Sequence, residues 1–166
     1  MLVFSPVKSL SSKLFFMPFI VAFYAEVNSL WTYGIMFLSV SSMCIHGLET
    51  SSHVLYYVIL HIDYYIIFFL NLIQIGNIYV FIGSHVLLLI NHDMTRKTIF
   101  AISYINTFVK TITYKPHLTL LLFPSIYSLK TYYNVIQRGY FLEFERFVWH
   151  LGIALFLLGA TFTINI

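Results

Sequence analysis

Seven apolar stretches follow one another along the chain, near residues 14–27, 30–48, 55–75, 77–91, 97–113, 117–135 and 147–165, with polar clusters at the joints between them. A transmembrane helix needs about 20 mostly apolar residues, so a chain of 166 residues has room for at most about seven crossings with short connections. Only 9% of the residues are charged and 60% are hydrophobic, whereas soluble domains carry about a quarter charged residues to clothe their surface in water. The expected fold is therefore all-α: a polytopic membrane protein forming a bundle of about seven transmembrane helices, with residues 1–166 as one domain and no separate extramembrane domain. The 77–91 stretch is short for a full crossing, which keeps a count of six open.

With seven spans, the N-terminus and the connections after spans two, four and six share one side. That side collects Lys8, Lys13, Arg96, Lys97, Arg138 and Arg146, against Lys110 and Lys115 on the other. The bias of basic residues places the N-terminal side in the cytoplasm. Lys8 and Lys13 precede an apolar stretch as in a signal peptide, but the small residue expected three before a cut after Ala25 is missing, so the stretch reads as a retained first span. A mitochondrial presequence fits less well, since the first 25 residues lack acids, as such a segment would, but also lack Arg.

Some function classes fall away. Cys44 is the single cysteine, which excludes a disulfide framework and a thiolate zinc site. The net charge of +3 comes from isolated Lys and Arg without a basic run, which argues against nucleic-acid binding. Paired Gly or Pro breaks in two matching halves are missing, which argues against half of a transporter.

Ionisable side chains inside hydrocarbon are costly, and each needs a partner or a role. Asp63 lies about two turns into the third stretch, HVLYYVILHIDYYIIFFLNLIQ. Ser42 and His46 are four apart near the end of the second, hence on one helical face. His150 lies about one turn into the last. Topology brings the end of span two and the starts of spans three and seven to the same membrane face, so Ser42, His46, Asp63 and His150 are expected to meet in one leaflet. Two imidazoles and a carboxylate make a zinc shell whose open position would hold an acidified water. The bland reading is an Asp neutralised by a proton or one interhelical hydrogen bond, with the histidines wetted at the interface. His61, His85, His92 and His117 carry only that bland reading.

These residues, in this order, resemble the seven-helix superfamily of alkaline ceramidases, progestin and adipoQ receptors and the transmembrane protein 8 family, most closely the last branch. The resemblance is carried by LFFMPFIVAFYAEV at 14–27, SMCIH from Ser42 to His46, Asp63, and RFVWHLGIA from Arg146 to Ala154. It implies a zinc-dependent hydrolase fold acting on lipid amides or esters, with His46 and His150 as metal ligands, Ser42 and Asp63 as catalytic residues, and membrane lipids as partners. The chain departs from that pattern at Arg146, which stands where the first histidine of the final pair belongs and points to a catalytically impaired relative. One expectation is that Arg146 pairs with Asp63, directly or through water, in place of the metal. The rival is that Arg146 reaches the interface and pairs with Glu143 or Glu145. The alternative function is a non-catalytic structural or assembly subunit, partnered by other membrane subunits.

Overall fold

The computed structural model describes residues 2–4, 10–50, 53–138 and 143–165. Seven α-helices run through them: α1 (Phe16–Tyr24), α2 (Ser29–Gly47), α3 (His53–Ile75), α4 (Ile78–Ile90), α5 (His92–Tyr114), α6 (Phe123–Arg138) and α7 (Glu143–Thr163). They follow the seven apolar stretches in order. The polar clusters between stretches prove to be helix caps. Asn28 Oδ1 accepts the Leu30 and Trp31 amides at 2.9 and 3.3 Å at the start of α2. Asn77 does the same for Tyr79 and Val80 at 2.9 and 3.1 Å, and Asn91 for Met94 at 3.1 Å. A side-chain oxygen so placed satisfies amides that have no partner inside the helix. Gly76 ends α3 with φ 69°, a left-handed conformation that glycine adopts without penalty.

Two stretches are not continuous α-helix. The first opens as a 3-10 turn, Leu10–Phe15, before α1, and the sixth as another, Pro116–Leu121, before α6. Pro116 supplies no amide hydrogen, so the chain restarts there rather than extending α5. A short antiparallel ladder, Leu2–Phe4 (β1) with Leu48–Thr50 (β2), lies where α2 ends and pairs Leu2 with Thr50. The apolar pattern predicts no strand at either place.

Among the described residues, two helices are long and apolar enough to cross a membrane: Val54–Ile75 of α3, 22 residues, and Phe144–Thr163 of α7, 20 residues. The apolar helix α4, at 13 residues, spans about 20 Å, short of the roughly 30 Å hydrocarbon core.

The main core gathers Phe15, Ala22 of α1, Trp31, Ile35 and Leu38 of α2, Leu70 of α3, and Ile153, Ala154, Phe156, Leu157 and Ala160 of α7. Helix α7 is central because small residues let its neighbours approach. A side chain on Gly152 would overlap Ser128 of α6, and one on Gly159 would press on Leu122. Hydrogen bonds cross this interior: Trp31 Nε1 donates to Thr161 Oγ1 at 3.0 Å, Asn106 Nδ2 to the Gln74 carbonyl at 2.9 Å, and Gln74 Nε2 to Thr163 Oγ1 at 3.3 Å. Tyr104 bonds Ser125 at 2.7 Å and stacks on Phe156. The faces turned outward carry large apolar side chains, as in α5, where Ile102, Ile105, Val109 and Ile112 are exposed while Ser103, Thr107 and Thr111 are buried.

Candidate functional site

The residues singled out by sequence lie at one end of the bundle, where α2 finishes and α3 and α7 begin. Packing of α2 on α3, and of both α2 and α7 on the Leu10–Phe15 turn, brings these ends together. His46 and His150 converge: their ring centroids are 4.8 Å apart with the planes inclined by 58°. His150 is buried, at 3% exposure. Its Nδ1 hydrogen-bonds Ser11 Oγ at 2.7 Å, and Phe15 packs edge-on against the ring at 5.3 Å. The turn before α1 thus orients the imidazole on α7, a role that no feature of the apolar pattern marks.

Asp63 is turned elsewhere. Its Oδ1 accepts a 2.6 Å hydrogen bond from Ser41, not from Ser42. Adjacent residues on a helix point about 100° apart, so only one of the two serines faces α3. Ser42 faces the opposite neighbour, donating to Ser12 Oγ at 3.2 Å, while Ser12 donates to the Ser42 carbonyl at 3.3 Å. The expected quartet therefore divides into a His46–His150 pair and an Asp63–Ser41 pair, with Ser42 bound into the Leu10–Phe15 turn. Ser11, Ser12 and Ser41 are the residues that sequence reasoning missed. The doublets at Ser11–Ser12 and Ser41–Ser42 were the available signal, since hydroxyls inside apolar stretches seek partners.

Arg146 lies one turn before His150, and its positive charge bears on both imidazoles. Its Nε is buried without a hydrogen-bond partner among the described residues. No ion pair joins it to Asp63, whose carboxylate is held by Ser41. Glu145 pairs with Arg138 rather than with Arg146, and the Glu143 side chain lies outside the described residues. Of the arrangements anticipated for Arg146, a direct ion pair with Asp63 and a pair with Glu145 do not form, and the pair with Glu143 falls outside the described residues.

As a zinc shell this donor set falls short. Among the described residues no three His, Cys, Asp or Glu side chains gather around one point. Two imidazoles remain, one engaged by Ser11, with a guanidinium beside them that cannot coordinate a metal and repels a dication.

The other histidines make local contacts. His61 Nδ1 meets the Tyr57 carbonyl at 2.7 Å, and His85 meets the Phe81 carbonyl at 2.8 Å and Tyr65 Oη at 3.1 Å. His92 lies 6.3 Å from His61 between ring centroids. Beside it at the start of α5, outside the apolar stretch, Asp93 bonds Lys97 at 2.5 Å and Arg96 at 3.3 Å, and the Lys97 hydrogen bond holds its carboxyl below the usual carboxylate range. Arg96 also lies over the Tyr64 ring at 4.1 Å. No family model, curated protein or solved structure matches this chain.

Proposed function

We propose that this chain is a multi-pass integral membrane protein of seven helices, built on the ceramidase-like plan but without its catalytic metal, and that it recognises a lipid rather than hydrolysing one. The observation that carries the reading is the meeting of His46 and His150 with Arg146 beside them, at the place where the resemblance implies three histidines around zinc. A guanidinium there supplies permanently the positive charge that an ion would bring, and offers no lone pair to bind one.

The membrane part of the reading is supported by an inside-out distribution of residues. Ser103, Thr107 and Thr111 of α5 face inward while Ile102, Ile105 and Ile112 face outward, the reverse of a helix bathed in water. In lipid, interhelical hydrogen bonds and close packing of small residues hold helices together; the Trp31–Thr161 bond and the Gly152–Ser128 approach are of that kind.

The test is metal content of the purified full-length protein and of Arg146→His. Negligible zinc in the natural protein, becoming stoichiometric on substitution, is the expected result. Stoichiometric zinc in the natural protein would overturn the metal-free reading.

A further inference from the structure

The geometry points to an anion-binding site at Arg146, formed with His46, His150 and Ser11, that takes a phosphate or carboxylate group of a membrane lipid or of a free solute. It rests on the metal-free reading above and goes beyond it by naming what occupies the site.

The argument begins with Arg146 Nε, which is buried and lacks a partner among the described residues. A buried donor on a charged group is costly unless something accepts from it. Each carboxylate whose side chain is described at this end of the bundle is engaged elsewhere: Asp63 by Ser41, Glu145 by Arg138, Asp93 by Arg96 and Lys97. The guanidinium presents its N–H donors in a fixed fork, a shape that matches carboxylate and phosphate oxygens two at a time. His150 follows one turn further along α7, with the His46 ring 4.8 Å from it and the Ser11 hydroxyl bound to it. Arg146 also sits in the first turn of the 21-residue helix α7, where the aligned peptide dipoles add positive partial charge. Among the described residues the charge in this cluster is positive. A cation is repelled; an anion supplies the acceptor that Arg146 Nε lacks. Because Arg146 is only partly buried and lies near the end of its helix, a headgroup at the membrane surface can reach it.

The experiment uses the full-length protein in detergent. Native mass spectrometry measures retention of phosphatidic acid against phosphatidylcholine, and inorganic phosphate is titrated as a competitor. Expected is a preference for phosphatidic acid of about tenfold or more, the scale of one charge-assisted hydrogen bond. Arg146→Gln should abolish it, whereas Lys97→Gln, an exposed cation at the same end, should leave it in place. Competition by inorganic phosphate would show that the free ion suffices; retention of the lipid despite phosphate would assign the site to a headgroup. Equal retention of the two lipids by the natural protein overturns the inference even if Arg146→Gln fails to fold, and so does an equal loss in Lys97→Gln. Equal retention without bound zinc defeats the anion site alone, whereas bound zinc defeats the metal-free reading beneath it.

Discussion

Ser41 and Asp63, on neighbouring antiparallel helices, are joined by a 2.6 Å hydrogen bond in the bundle interior. This bond gives the most buried acid among the described residues a partner, and it directs Asp63 to Ser41 rather than to the His46–His150 pair. Ser41→Ala leaves the carboxyl group without that donor and should cost about 1–2 kcal/mol, the scale of a lost buried or interhelical hydrogen bond. Ser42→Ala, which removes only the link to Ser12, should cost less. Thermal unfolding of both variants in detergent checks this; an equal or larger loss in Ser42→Ala would show that Asp63 does not depend on Ser41.

Glycines in α7 and α4 should respond oppositely to the same kind of substitution. Gly152→Ala drives a methyl into Ser128 of α6 and should separate the two helices, with a loss of about 1–3 kcal/mol from overpacking. Gly83, in α4, has open space where a Cβ would stand, so Gly83→Ala should be neutral or gain up to about 1 kcal/mol in helix propensity. Unfolding midpoints of the two variants that moved together would contradict the packing of α6 on α7.

The seven crossings proposed above would place the two chain ends on opposite sides of the membrane, because the number is odd. Tags at the two ends should therefore differ in accessibility to an impermeant reagent in sealed vesicles. Equal accessibility would remove the seven-span arrangement, leaving α3 and α7 as the helices with sufficient length and apolarity.

Trp31 donates its indole N–H to Thr161 in the core between α2 and α7. Thr161→Val keeps the side-chain shape but removes the acceptor, which should lower the unfolding midpoint and shift Trp31 emission. The test background is Trp149→Phe, which leaves Trp31 as the single tryptophan. Emission unchanged by Thr161→Val would argue that the bond does not form.

At the start of α5, the Lys97 hydrogen bond holds the Asp93 carboxyl below its ordinary range. A depressed folded-state pKa means that the carboxylate favours the folded helix above the ordinary value, and that this contribution fades as pH falls through the lower folded one. Lys97→Gln should return the Asp93 titration toward the ordinary carboxylate range, as followed by carboxyl-carbon NMR. Asp93 is exposed, so the effect on overall stability should be small. An unchanged titration would rule out the pairing.

The sequence by itself determined the helical order and the joints. Long apolar runs can satisfy their backbone only within themselves once water is excluded, and Asn28, Asn77 and Asn91 interrupt those runs as caps. It also placed His46 and His150 at the same end, since that follows from connecting antiparallel helices in order. Which side chains touch was decided only in three dimensions. The choice of Ser41 over Ser42 for Asp63 turns on the rotation of α2 about its axis, and a step of about 100° separates the two answers. The seating of His150 depends on Ser11, 139 residues away in sequence, and on Phe15 of the same 3-10 turn, and the orphaned Nε of Arg146 depends on Asp63 and Glu145 having found other partners. These are outcomes of packing among distant segments, and no local pattern encodes them.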